Sequence, residues 1–138
     1  MNPEISRDGC VEPAEIEDLR TAVGWDSCAG TYATILQRHF TYYTVRAEDR
    51  RLIGYMSILS DGIADAFLLD LMVHPDFTEQ QIGSRLVKRG IQDMKDAGVR
   101  CVQVTFHENL REFYARCGFY IFGGGVIDFD TMEWDAKD

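Results

Sequence analysis

Asp70-Leu71-Met72-Val73-His74-Pro75-Asp76-Phe77-Thr78-Glu79-Gln80-Gln81-Ile82-Gly83-Ser84 is the stretch on which the fold reading turns. The apolar run from Ala66 to His74 reads as a strand buried on both faces, and Pro75 stops it. From Ile82 the apolar residues recur at helical spacing through Leu86, Gly90, Ile91 and Met94, until Gly98 closes the helix. A strand that runs through a short loop straight into a helix presents unpaired backbone N–H groups and the positive end of the helix dipole. That is a suitable cradle for a pyrophosphate.

On the N-terminal side, Pro13 opens a helix carrying Ile16, Leu19 and Val23 on one face, with Gly24 at its end. A second helix spans about Thr31 to Phe40, where Tyr32, Ile35, Leu36 and Phe40 share a face. Thr41 to Arg46 and Leu52 to Ser60 are two strands joined by the charged turn Ala47-Glu48-Asp49-Arg50, and Asp61-Gly62 marks the next turn. On the C-terminal side, Cys101 to Phe106 alternates as a strand. Asn109 and Glu112 form a capping box for a short helix that reaches Cys117 and ends at Gly118. Phe119 to Trp134 is expected to form two short strands bent at Gly123-Gly124-Gly125, a bend rather than a phosphate loop because no helix follows it. The expected architecture is a mixed α/β domain around one sheet.

The 138 residues fit one domain, and 46% hydrophobic with 27% charged residues is ordinary for a chain that buries a core. No apolar run approaches the roughly 20 residues that span a bilayer. Met1 to Gly9 carries Glu4 and Asp8 and lacks the apolar stretch of a signal peptide, so a cytoplasmic location and no membrane partner are expected. The net charge of −9 argues against nucleic acid as a partner. Cys10, Cys28, Cys101 and Cys117 form no C-x-x-C pair, and none of the three histidines stands at zinc-ligand spacing from them. No metal is expected, and the cysteines read as reduced, mostly buried thiols. Neither G-x-G-x-x-G nor G-x-x-x-x-G-K-[ST] occurs, which disfavours a nucleotide or dinucleotide enzyme.

Two segments carry a resemblance. The loop quoted above is similar to the acetyl-CoA loop of the GNAT superfamily of N-acetyltransferases, Arg/Gln-x-x-Gly-x-Gly/Ala following a strand that ends near Val-x-Pro. In the preferred register the Arg/Gln position falls on Thr78, the first glycine on Gln81 and the last on Gly83. Starting instead at Gln80 places Arg85 where a tiny residue belongs. The second segment, Asn109-Leu110-Arg111-Glu112-Phe113-Tyr114-Ala115-Arg116-Cys117-Gly118-Phe119, resembles the family's late helix and the Gly-Phe that starts the next strand. The likeness runs from Pro13 and is firm from Leu52 to Phe119.

The resemblance implies a GNAT-like fold, a mostly antiparallel central sheet flanked by helices, in a single domain over residues 1–138. It implies acetyl transfer from acetyl-CoA, as co-substrate, to a primary amine of a small molecule by direct attack in a ternary complex; the sequence does not choose the acceptor among small amines, amino acids, antibiotics and protein lysines, and a homodimer is one assembly open to it. Met72 and Val73 would flank the pantetheine arm, with a backbone N–H at or beside Val73 polarising the thioester carbonyl. Thr78, Glu79, Gln80, Gln81, Ile82, Gly83 and Ser84 would cradle the pyrophosphate, the Gln81 side chain narrowing its approach. Asn109 would cap its helix, bind the pantetheine arm, or both. Tyr114 would give the departing thiolate its proton, since a phenol of pKa about 10 is neutral at pH 7; packing as a core tyrosine is the plainer role.

For the general base the residues themselves offer Asp70, a carboxylate in an apolar strand where burial would raise its pKa, with a structural hydrogen-bond role equally open. His74 is the second candidate. Arg85, Lys88 and Arg89 follow the loop as candidates for the ribose phosphate or as a solvated face. Trp25, Tyr32, Phe40, Asp61, Asp65, Asp128, Asp130 and Trp134 lie in the elements that shape the family's acceptor pocket. A non-catalytic acyl-CoA-binding module and an interaction domain with no cofactor are the competing readings.

Overall fold

The computed structural model describes residues 2–137, which fall into two compact units, Met1–Val104 and Thr105–Asp138. The first unit is a five-stranded sheet with strand order β1-β2-β3-β4-β5. Its strands are β1 (Ile5–Arg7), β2 (Thr41–Arg46), β3 (Leu52–Ser60), β4 (Asp65–Val73) and β5 (Cys101–Gln103). The first three pairings are antiparallel and β4 pairs with β5 in parallel, which requires the helical crossover between them. That crossover is a 3-10 turn (Pro75–Gln80) followed by α3 (Ile82–Asp96).

Helix α3 lies on one face of the sheet. Glycines admit it: a Cβ on Gly54 would stand 2.9 Å from the Ile82 side chain, and one on Gly90 2.6 Å from that of Met56. Helices α1 (Pro13–Ala22) and α2 (Tyr32–Arg38) cover the opposite face. There Ile16, Leu19 and Tyr32 pack with Leu52, Tyr55 and Met72, all at 5% exposure or less. Glu15 accepts the Glu12 backbone N–H at 3.0 Å and closes the start of α1.

The second unit holds a 3-10 turn (Glu108–Leu110), α4 (Arg111–Arg116) and an extended tail. No helix among the described residues is long and apolar enough to cross a membrane.

Several elements depart from expectation. β1 was not anticipated, since three residues carry no period. β4 is not buried on both faces: α1 and α2 cover the Tyr55–Met72 end, so the cross-strand pair Leu59 and Phe67 at the other end is 45% and 41% exposed. β5 stops at Gln103, because its ladder with β4 ends at Phe67. Asn109 does not cap α4. Leu110 N–H bonds the His107 carbonyl at 2.8 Å, so Asn109 sits inside a 3-10 turn and Leu110 takes the cap position without a side-chain bond. The two tail strands are absent, leaving Tyr120 to Ile127 without backbone pairing among the described residues. No cysteine is buried; Cys10 is exposed and the other three are half-buried, because each lies in a loop or at an element's edge.

Candidate functional site

The sheet opens into a fork at β4. Only Asp65 to Phe67 pair with β5, so from Leu68 to Val73 the strand has β3 on one side and no ladder on the other. His74 N–H bonds the Ile53 carbonyl at 2.8 Å across to β3. By antiparallel alternation the Val73 N–H points the other way, into the open side of the fork. The ladder between the fourth and fifth strands thus ends at Phe67 and Gln103, before Val73. Met72 is 1% exposed and packs in the core beneath.

A β-bulge interrupts the same strand. Tyr55 faces Met72 but Ser57 faces Leu69, so Met56 opposes both Asp70 and Leu71. Asp70 takes a left-handed backbone with φ 57°, a conformation that aspartate tolerates better than most residues. Asp70 is half-buried rather than enclosed in apolar surroundings, because the bulge turns it toward α1 and α2. Tyr32 Oη donates to Asp70 Oδ2 at 2.7 Å, Arg20 Nη1 donates to Tyr32 Oη at 2.9 Å, and Arg20 Nη1 stands 3.7 Å from Asp70 Oδ1. Burial, then the Asp70 carboxylate, holds the Tyr32 phenol well above its ordinary pKa, so it stays a donor. Arg20 also lies over the half-exposed Trp25 ring, 5.2 Å from its centroid. Burial lowers the His39 pKa against the pull of Asp70, and its Nδ1 is buried without a hydrogen-bond partner. None of Arg20, His39 and Tyr32 stands near Asp70 in the chain, so local spacing carried no signal of this cluster.

His74, the other base candidate, is engaged locally. Its Nδ1 accepts the Asp76 N–H at 3.2 Å and caps the 3-10 turn.

The loop beyond it delivers a helix N-terminus. Gln81 is the N-cap of α3 in the left-handed region with φ 54°, and its side chain makes no capping hydrogen bond to the first-turn N–H groups. A positive φ is a conformation that glycine adopts without a Cβ penalty, so Gln81 carries a side chain where glycine would be unstrained. The neighbouring Gln80 carries a buried Oε1 with no hydrogen-bond partner. The first-turn N–H groups of α3 are donors that fit the pyrophosphate of an acyl-CoA, whereas the Gln80 Oε1 can only accept and the exposed Thr78 and Glu79 add no positive charge. Arg85 is occupied elsewhere: its Nη2 donates to the Pro3 carbonyl at 2.6 Å. Arg89 ion-pairs with Asp93 at 3.0 Å, and Lys88 is exposed.

In the second unit Tyr114 is 5% exposed and ringed by aromatics. Phe106 stacks on it at 5.1 Å, and Phe113 and Phe119 meet it edge-on at 4.9 and 5.8 Å. Burial, with Cys117 adding to it, pushes the phenol up to about 12, so it holds its proton throughout the neutral range. Asn109 is exposed in the 3-10 turn.

The residues expected to shape an acceptor pocket divide. Tyr32 and Trp25 belong to the Asp70 cluster. Asp61 Oδ1 accepts the backbone N–H groups of Ile63, Ala64 and Asp65, which hold its carboxyl below the usual range and make it a turn residue. Asp65 Oδ1 accepts from Gln103 Nε2 at 3.1 Å. With Leu59, Ser60 and Phe67, these two aspartates line a shallow hollow at the β3–β4 turn. Phe40 is exposed beside Gly62, and Asp128, Asp130 and Trp134 lie exposed in the tail.

The model of the "Acetyltransferase (GNAT) family" matches residues 10–119 of this chain. The chain is 25% identical over 109 residues to an uncharacterized N-acetyltransferase, ycf52, of Porphyra purpurea. That match covers 76% of this chain and 63% of the relative, so the chain spans less than two thirds of its length. Among solved structures, the GNAT family protein SP0256 of Streptococcus pneumoniae TIGR4 superposes with a TM-score of 0.75 at 26% identity. That superposition covers 91% of this chain and 98% of SP0256. The Escherichia coli N-acetyltransferase YhbS, solved in complex with CoA, shares the fold with a TM-score of 0.69 at 16% identity, over 86% of this chain and 69% of YhbS. The mixed sheet flanked by helices is thus the fold these proteins share.

Proposed function

The chain belongs to the GNAT acetyltransferase family, and from that membership we propose that it transfers the acetyl group of acetyl-CoA to a primary amine of a small molecule. Attack is direct, in a ternary complex, and the chain works as a single domain in a cytoplasmic homodimer. The observation that carries this reading is the fork, where β4 loses β5 after Phe67 and frees the Val73 N–H.

Acetyl-CoA, when bound, supplies a thioester-activated acetyl group. Ile82, Gly83 and Ser84 hold its pyrophosphate with the first-turn N–H groups of α3, aided by Gln80 and the backbone of Thr78, Glu79 and Gln81. Met72 and Val73 flank the pantetheine arm, and Asn109 is a further residue proposed to bind it. The Val73 N–H is the preorganised donor for a developing oxyanion. Asp70 takes the amine proton, directly or through water, while Tyr32 and Arg20 fix its carboxylate. Tyr114 keeps a proton on Oη for the departing sulfur, as its raised pKa favours.

A non-catalytic acyl-CoA-binding module is the second reading, favoured by the engagement of Asp70 with Tyr32 and Arg20. Calorimetric titration with acetyl-CoA, using CoA and NADH for comparison, tests the cofactor. Saturable binding of acetyl-CoA but not NADH is expected; no binding of acetyl-CoA or CoA overturns both readings.

A further inference from the structure

The opposite charges of Arg20 and Asp70 lie close without closing on each other. Arg20 Nη1 stands 3.7 Å from Asp70 Oδ1, beyond hydrogen-bond reach. Arg46 and Glu15 show the closed form in this same chain, with two parallel bonds of 2.8 and 2.9 Å. Tyr32 keeps the first pair open: its Oη accepts from Arg20 Nη1 at 2.9 Å and donates to Asp70 Oδ2 at 2.7 Å. Further contacts fix Arg20. Its Nε donates to the Asp26 carbonyl at 2.6 Å, and its guanidinium lies 5.2 Å from the Trp25 ring centroid and 5.8 Å from that of Tyr32.

Two polar atoms of the pair are left over. Asp70 Oδ1 and Arg20 Nη2 make no hydrogen bond among the described residues, and neither is buried, so both stand open to solvent. The two side chains as a whole are mostly covered, and the field between them is less screened than at an open surface. A separated pair of this kind is complementary to a zwitterion. An α-amino acid carries an ammonium and a carboxylate about 3 Å apart across one carbon. Laid in the opposite sense on the pair, its ammonium meets Asp70 Oδ1 and its carboxylate meets Arg20 Nη2. A plain amine would satisfy Asp70 and leave the guanidinium to water, and a protein lysine brings no carboxylate at that distance.

We propose that the acceptor is an α-amino acid, its carboxylate held by Arg20 and its amino group by Asp70. The proposal rests on the acetyl-transfer reading above and names the acceptor within it. The amino nitrogen bonds the acetyl carbon as the carbon–sulfur bond breaks. Of the two protons the ammonium sheds, one ends on the departing sulfur as thiol and the other passes by way of Asp70 to water. The products are an N-acetyl amino acid and CoA.

The test offers the full chain the standard amino acids, each beside its C-terminal amide, with γ-aminobutyrate as a carboxylate set too far from its amine. In thiol release from acetyl-CoA, kcat/KM is expected to be at least about tenfold higher for an amino acid of the panel than for its amide or for γ-aminobutyrate. Amine basicity works against that result, because the amide's amine is the less basic and more of it is free at neutral pH. Arg20→Gln is expected to bring the ratio of amino acid to amide near one, whereas loss of a merely structural contact would lower both alike. In nitrogen-15 NMR of the parent, the Arg20 Nε–H is expected to shift with an amino acid and not with its amide. Amides or γ-aminobutyrate used as well as amino acids would overturn the proposal and leave acetyl transfer standing. So would an Arg20→Gln chain that keeps the parent's ratio. Should that variant fail to fold, the parent's ratio and the NMR shift decide. Thiol release with no acceptor at all would sink the acetyl-transfer reading instead; the NMR titration then decides the subsite, a shift with the amino acid alone supporting it and no shift overturning it.

Discussion

Tyr32 Oη donates a 2.7 Å hydrogen bond to Asp70 Oδ2 and joins α2 to the bulge of β4. The bond aims a carboxylate on a strand that the α1–α2 face would otherwise leave without a fixed direction, and Arg20 completes the triangle. Tyr32→Phe therefore removes a charge-assisted bond at a site where Tyr32 is 1% exposed and Asp70 half-buried. The expected loss is about 1.5 kcal/mol, read as a lower Tm by calorimetry. A variant as stable as the parent would mean that the bond is not maintained in solution.

Asp70→Asn keeps the shape of the cluster and withdraws its charge. If Asp70 takes the amine proton, kcat/KM falls by about 10²-fold or more while acetyl-CoA affinity holds. A pH–rate profile identical to that of the parent would remove Asp70 from proton transfer.

Tyr114→Phe deletes the Oη proton and keeps the aromatic packing with Phe106, Phe113 and Phe119. Turnover is expected to drop by about 10²- to 10⁴-fold with the acetyl-CoA Kd unchanged. Unaltered turnover would make Tyr114 a packing residue only.

Gln81 holds φ 54° at the N-cap of α3, where glycine meets no Cβ penalty. Gln81→Gly is expected to tighten CoA about fivefold, the equivalent of roughly 1 kcal/mol, by calorimetric titration. An unchanged or weaker Kd would show that the glutamine side chain does not hinder the phosphates.

The folds of the two ends of the sequence were legible to different depths. Helical spacing over Ile82 to Met94 and the turn Ala47 to Arg50 placed α3, β2 and β3 correctly, because each element is long enough for its period to show. The bulge at Asp70 left no mark on the apolar pattern, since one inserted residue changes register without changing composition. The partners of Asp70 were illegible for a related reason: Arg20 and Tyr32 reach it only once α1 and α2 cross β4. In the tail, the strand-like composition of Phe119 to Trp134 suggested two strands that the structure does not form, because composition alone supplies no ladder partner.

Glu15 and Arg46 form a forked ion pair, Nη1 to Oε1 at 2.8 Å and Nη2 to Oε2 at 2.9 Å, that ties α1 to the end of β2. The Arg46 hydrogen bond lowers the Glu15 pKa to about 2 from 4.5. A depressed carboxyl contributes stability above its unfolded value and loses it as pH falls through the folded one. Glu15→Gln should therefore cost about 1 kcal/mol at neutral pH, screened because the pair is partly exposed. The gap to the parent should narrow below pH 4.5 and vanish near pH 2 in denaturant titrations. A gap that is constant with pH would contradict the assignment.

Release of free thiol from acetyl-CoA in the presence of a panel of small primary amines tests the central claim most directly. The account predicts saturable, amine-dependent thiol release by the full chain that is lost in Tyr114→Phe. Thiol release that no amine accelerates above the acetyl-CoA blank would contradict it.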